Sequence, residues 1–301
     1  MRRYSTMIAC LALVPWLLAA LARAEDPPVS YEAQIRKWRA DFDADVRTGG
    51  WLELIGREKL VEGTVTIGSA TTCRVRLPPR LGIPKLGSVT RHGNEFRFNP
   101  VRGIAATVDG APAHGPTTLS TKSGTGRVRA AGISLAVRDV GDDFYLFVTD
   151  PANPAVGEFR GTTWYPVDES YRVTATFIPY AKPEERQLPL THVETRQSWQ
   201  STGDVSFMLG TRSVRLRTFA DDDELFLLFQ DTTNGRETYG GGRFLHAPLP
   251  KDGKTELDFN KSFNPYCSVN AFVMCPIPPP ENQLDFPVTA GETYEGPDHP
   301  P

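Results

Sequence analysis

Tyr239 and Arg243 flank Gly240-Gly241-Gly242, and Asp258, Asn260 and Asn264 follow a short way along. A guanidinium beside glycine-rich backbone is the chemistry of anion recognition, because exposed amide N–H groups and the planar donor fork converge on one charge. Glycines also serve as hairpin tips, so a mobile turn is the competing reading. No Lys-Ser/Thr pair closes the run, which argues against a nucleotide-phosphate loop. Asp258 and Asn260 stand two apart, so on a strand they share one face while Leu257 and Phe259 share the other. Facing a cleft, the polar pair would hydrogen-bond a ligand beside Arg243, with Thr238, Tyr239 and Asn264 completing a polar, half-aromatic wall. Facing inward, Asp258 and Arg243 would instead form a structural ion pair.

Asp231, Asp258 and Glu281 are the carboxylates that a hydrolase would draw on as general base or as a pair. Such pairs need a set separation and environments that drive their pKa values apart, and sequence fixes neither. Neither Gly-x-Ser-x-Gly nor His-Glu-x-x-His occurs, and His92, His114, His192 and His246 lie far apart. Nothing in the pattern calls for a cofactor. Cys267 and Cys275 are spaced to close a short loop as a disulfide, leaving Cys73 as a buried free thiol. A zinc site is disfavoured, since the spacing is not Cys-x-x-Cys and no histidine lies in that loop.

These residues need a scaffold, and the periodicity supplies an all-β one with a single amphipathic helix. Tyr31, Ile35, Trp38, Phe42 and Val46 recur at three and four residues, which predicts a helix within 28–48 capped by Ser30 and stopped by Gly49-Gly50. Arg36, Lys37, Arg39 and Asp41 lie off that stripe and are expected in solvent. From Trp51 the period becomes two, with runs at Thr64–Ile67, Cys73–Leu77, Glu95–Phe98, Ile133–Val137 and Phe144–Val148 separated by turn residues, so 51–150 reads as a β-sandwich. A boundary falls at Asp150-Pro151-Ala152-Asn153-Pro154. A second β-rich lobe, 155–291, carries runs from Tyr171 to Phe177, Val205 to Leu209, Val214 to Thr218 and Leu225 to Gln230. Asp221-Asp222-Asp223 and Thr232-Thr233-Asn234-Gly235 read as turns between strands. The irregular stretch from Asn264 to Pro280 is rich in proline and suited to a stiff wall. The segment 292–301 is polar and expected to be disordered.

Arg2 and Arg3, an apolar run from Met7 to Leu21, and Ala22-Arg23-Ala24 together read as an export signal, 1–24, cleaved near Ala24. About fifteen apolar residues fall short of the ~20 a membrane helix needs. The expected product is periplasmic or secreted, with no transmembrane span. Cleavage removes three arginines and no acid, leaving 30 Lys and Arg against 36 Asp and Glu, so the formal charge moves from −3 to −6. A mildly acidic, mixed surface argues against nucleic acid as a partner. The 26 glycines and 26 prolines are spread along the chain, which favours short strands and many turns over long helices.

The chain resembles the family catalogued as domain of unknown function 1684. The resemblance runs from Trp51-Leu52-Glu53-Leu54-Ile55-Gly56 and Ile67-Gly68-Ser69 through Phe159-Arg160-Gly161. Its most specific blocks are Asp231-Thr232-Thr233, Glu237-Thr238-Tyr239, Gly242-Arg243-Phe244-Leu245, Leu257-Asp258-Phe259-Asn260, Asn264-Pro265, Cys267, Cys275-Pro276, Pro278-Pro279 and Glu281-Asn282. It implies that Thr238, Tyr239, Arg243, Asp258, Asn260 and Asn264 occupy signature positions, without implying a reaction. Gly56-Arg57 departs from an expected Gly-Leu pair, and Tyr266 from a second proline. The first lobe also resembles a forkhead-associated sandwich, through Gly56-Arg57 and Ile67-Gly68-Ser69. The phosphothreonine-reading residues are not matched, so only the fold is implied.

Three functions compete on this reading. The leading expectation is a small polar or anionic ligand held by Arg243, Asp258, Asn260, Tyr239, Thr238 and Asn264. The second is a hydrolase using Asp258, Asp231 or Glu281. The third is a structural or assembly protein of the cell envelope, in which the polar cluster only pins the chain.

Overall fold

The computed structural model describes residues 29–113, 115–122 and 124–296. The expected export signal, 1–24, lies outside the described residues. Helix α1 (Tyr31–Thr48) begins where the Ser30 hydroxyl accepts the Ala33 N–H, and Gly50 turns the chain away at φ +85°.

The first lobe contains β1 (Leu54–Lys59), β2 (Gly63–Gly68), β3 (Val75–Arg76), β4 (Gly87–His92), β5 (Glu95–Pro100), β6 (Ala106–Val108), β7 (Ala111–Ala113), β8 (Thr117–Leu119), β9 (Val128–Ala130), β10 (Ile133–Val140) and β11 (Asp143–Thr149). They form two sheets, β1-β11-β10-β9-β6-β7 and β3-β2-β4-β5-β8. Alternation decides which side each residue faces. Ile133, Leu135 and Val137 of β10 enter a core with Val89, Phe98 and Val148, and Ser134, Ala136 and Arg138 take the opposite face. The Cys73–Leu77 run pairs only at Val75 and Arg76, because Cys73 closes a turn onto the Ala70 carbonyl instead.

A short helix, α2 (Pro154–Glu158), occupies the expected boundary. The second lobe contains β12 (Thr163–Trp164), β13 (Arg172–Pro189), β14 (Arg196–Leu209), β15 (Arg212–Asp221), β16 (Glu224–Phe229), β17 (Arg243–Pro248), β18 (Lys254–Asp258) and β19 (Glu292–Thr293). Six of these make one antiparallel sheet in the order β17-β16-β15-β14-β13-β18, which curls until β17 and β18 touch. Its concave side holds Val205, Leu216, Leu227, Phe229, Leu245, Leu257 and Phe259. Asp222 and Asp223 form the tip between β15 and β16, as the charge run predicts.

Two expectations are corrected. The segment from 292 does not begin disordered: Glu292-Thr293 pairs with Thr163-Trp164, and Glu292 is buried. Backbone pairing and a buried carboxylate order it without an apolar period. Arg39 does not lie in solvent; it is half-buried over the Trp164 ring and donates to the Tyr165 and Asn260 carbonyls at 3.0 and 3.3 Å. Helix α1 packs on the second lobe, where Trp38 and Phe42 meet Trp164, Phe263 and Tyr266.

The lobes are tied by polar contacts. Arg57 donates to the carbonyls of Phe272 and His192 at 3.1 and 3.4 Å, and Asn270 donates to those of Trp51 and Leu54 at 2.9 Å each. Arginine where a leucine was expected therefore fastens one lobe to the other. Arg57→Ala should lower the melting temperature and split or broaden the calorimetric transition, at a cost of about 1 kcal/mol, the net worth of such hydrogen bonds. An unchanged, single sharp transition would contradict that role.

Candidate functional site

Strand β17 opens with Arg243, opposite Phe229 of β16, and turns its side chain into the lobe. Its guanidinium lies over the Phe229 ring, pairs with Asp231, and donates to the Ala290 carbonyl and, at 2.7 Å, to that of Val288. Both charged side chains are fully sealed from solvent. The second Asp231 oxygen accepts the backbone N–H groups of Thr233 and Val288 at 2.8 and 3.4 Å. Arg243 therefore pairs with Asp231, not with Asp258 as the structural alternative had it.

The turn after Asp231 closes on itself. Asn234 accepts the Asp231 N–H at 2.6 Å and donates to Thr238 Oγ1 and the Tyr239 carbonyl at 3.0 and 2.7 Å. The Thr233 and Thr238 hydroxyls meet at 2.8 Å. Gly235 sits at φ +74°, as an Asn-Gly turn requires. Gly242, at φ +99°, would place a Cβ 2.6 Å from Pro278 and 2.9 Å from the Phe229 carbonyl. The close approach anticipated for the glycine run is thus made to the chain's own proline wall.

Strand β18 ends at Asp258, and a single 3₁₀ turn, Phe259–Lys261, replaces the extended Asp-Phe-Asn segment. Leu257 and Phe259 still enter the core while Asp258 and Asn260 turn toward α1. Asp258 accepts the Tyr31 hydroxyl at 2.8 Å and the Asn260 N–H at 3.2 Å. Asn260 donates to Tyr31 and to the Asp168 carbonyl at 2.9 and 2.8 Å, and accepts the Asp168 N–H at 3.0 Å. Burial and the adjacent Asp258 carboxylate push the Tyr31 hydroxyl well above the ordinary phenol range.

Asn264 holds β19: its backbone N–H donates to Glu292 at 2.7 Å and its side chain to the Thr293 carbonyl at 2.9 Å, while its oxygen accepts the Tyr239 N–H at 3.3 Å. Complete burial pushes the Glu292 carboxyl up to about 8, against the pull of Asn264 and the more distant Arg243 charge. The Tyr239 ring is buried with its hydroxyl facing the Cys267 thiol. Cys267 and Cys275 are neighbours but free thiols, with the Cys267 N–H donating to Cys275 Sγ at 3.3 Å; the expected disulfide is absent, its loop being closed by hydrogen bonds instead. Burial drives the Cys275 thiol well up. Cys73 is a buried free thiol. Among the described residues, no group of three His, Cys, Asp or Glu is placed to hold a metal ion.

The structure thus gathers Thr238, Tyr239, Arg243, Asp258, Asn260 and Asn264 into one lobe, but each is buried. The expected solvent-reachable hollow is corrected to a closed interior network, because the strap from Val288 to Thr293 supplies partners to Arg243 and Asn264 while Tyr31 and Asp168 take Asp258 and Asn260. Asp231, Asp258 and Glu281 do not act as one set. Asp231 serves Arg243, Asp258 serves α1, and Glu281 lies at the surface paired with Arg217 at 2.8 Å. Sequence reasoning missed Tyr31, Asn234, Asn282 and Glu292. Asn282 is buried and bridges strands, accepting the Arg217 N–H and donating to the Arg217 and Leu228 carbonyls at 2.7, 2.9 and 2.7 Å. The Asn-Gly pair marked Asn234 as a turn residue only; nothing local marked Glu292.

Fold and network define a two-lobed β protein whose second lobe is organised around sealed polar residues. Residues 157–293 match the family described as "Protein of unknown function (DUF1684)". The blocks from Trp51 to Ser69 lie outside the matched segment, so the likeness first read across both lobes is carried by the second. The chain is similar to the uncharacterized protein of Haloarcula marismortui solved by solution NMR, at 33% identity over 48% of this chain and 81% of that one, with a TM-score of 0.40. No curated protein matches.

Asp231→Asn leaves a buried guanidinium without its counter-charge and should cost about 3–5 kcal/mol in chemical denaturation. Glu292 binds its proton more tightly folded than unfolded, so its contribution is complete below the ordinary value of 4.5 and is lost as pH rises through about 8. The melting temperature should fall across that window, and Glu292→Gln should flatten the fall. A wild-type curve that rises over the same range, or an unaltered one in the variant, would refute the assignment.

Proposed function

We propose that this is a non-catalytic, exported structural or assembly protein of the cell envelope, with a forkhead-associated-like first lobe. Its family signature holds the helix, the curled sheet and the C-terminal strap as one body. The single observation that carries the reading is enclosure: every polar residue at the signature positions is buried, and apart from Arg243 Nε and the Tyr239 hydroxyl their side chains are hydrogen-bonded within the chain. A ligand at Arg243 would have to displace Asp231 and two backbone carbonyls from the guanidinium, stranding a buried carboxylate. A hydrolytic Asp258 would have to give up Tyr31 and Asn260, and no second carboxylate shares its hydrogen bonds. Export rests on Arg2, Arg3, the apolar run and Ala22-Arg23-Ala24.

Asp258→Asn and Tyr31→Phe separate the readings. Both should lower the melting temperature by several degrees, about 1–3 kcal/mol for a buried hydrogen bond lost. Neither should change turnover on a panel of ester, glycoside and amide substrates, where wild type is expected to be inactive. Wild-type hydrolysis abolished in a folded Asp258→Asn variant would establish the enzyme instead.

A further inference from the structure

The outer face of the first lobe carries a groove outside the signature. Gly49, Gly50 and Trp51 form its helix-side wall, and Ala136 and Arg138 of β10 with Phe147 and Thr149 of β11 form its floor. Arg127, just before β9, closes the far side. The enclosed volume is about 440 Å³, within the range that takes a small ligand. Two further hollows, about 460 and 410 Å³, adjoin it, and Arg127 and Arg129 line both.

The guanidiniums here have no bonded acid. Among the described residues, Arg127 and Arg129 form no ion pair and no side-chain hydrogen bond, and Arg138 donates only to the neighbouring Val137 carbonyl, at 2.8 Å. The nearby Asp109 carboxylate is occupied by the backbone N–H groups of Gly126 and Arg127, at 2.9 and 3.0 Å. Glu53 lines the groove but pairs with none of the arginines. Arg127 and Arg138 therefore face one cavity as like charges. Burial lowers the Arg138 pKa first and the Arg127 charge lowers it further, against the opposing pull of Asp139. At Arg74, Arg80, Arg172, Arg215 and Arg217, by contrast, the guanidinium is paired with an acid. Two guanidiniums with no bonded acid, over a partly apolar floor, are complementary to an anion, which both can hold through paired N–H···O bonds.

We propose that this groove binds a small organic anion, a carboxylate or phosphate monoester bearing a ring, held between Arg127 and Arg138 with its ring on Phe147 beside Trp51. The site is independent of the structural role given to the second lobe. It would stand if that role failed.

Titration calorimetry on the full chain, with phenyl phosphate and phenylacetate as probes, tests it, and Trp51 fluorescence gives a second readout. Saturable binding of at least one probe is expected, weakened at least tenfold in Arg127→Gln/Arg138→Gln with an unchanged melting temperature. Arg212→Gln, in a hollow of the other lobe, should bind as wild type does. The preferred probe identifies the anionic group. No binding of either probe at millimolar concentration, equal affinity in the double variant, or equal loss in Arg212→Gln would overturn the site. Inorganic phosphate binding as tightly as phenyl phosphate would overturn the ring-bearing class.

Discussion

A guanidinium removed from water must find a counter-charge and acceptors inside the protein, and Arg243 imposes that requirement on the second lobe. Asp231 supplies the charge, Val288 and Ala290 supply carbonyls, and Phe229 supplies a ring face. The partners come from two distant stretches of chain, the end of β16 and the strap, so satisfying one side chain fixes both against the start of β17. Such a pair adds little stability over apolar residues of the same shape, while removing one member is costly. Its effect is to specify one arrangement of these segments.

The same logic extends outward through Asn260 and Asn264. Asn260 joins α1 and the segment before β13 to the end of β18, and Asn264 joins the proline-rich wall to β19. Aromatic rings fill the space between, with Trp51 stacked on Tyr266 at 4.2 Å. The helix is thus a component of the second lobe although it precedes the first in sequence.

Strand and helix positions were largely legible because they depend on local period: the Tyr31 to Val46 stripe, the alternation of β10 and the turn at Asp222 each follow from neighbours in sequence. The cluster of Tyr239, Arg243, Asp258, Asn260 and Asn264 was legible as a gathering but not as an interior. Whether a polar residue faces water or protein depends on what covers it, and the cover here is helix α1 together with Val288 to Thr293, whose last two residues fall in the stretch expected to be disordered. Tyr31 escaped notice for a related reason. On the helix it reads as one more apolar contact, and its hydroxyl gains meaning only from Asp258, 227 residues away. The cysteine pair shows the limit of spacing alone, which brings the sulfurs together without setting their oxidation state.

The strap also orders events in time. A chain made from its N-terminus presents Arg243 well before Val288 and Ala290, whose accepting carbonyls lie 45 and 47 positions later. Until those residues emerge, the guanidinium is better solvated by water than by the half-formed lobe, and β17 has reason to stay unlatched. Final closure is thereby deferred to the synthesis of the last segments, keeping the nascent lobe pliable until then.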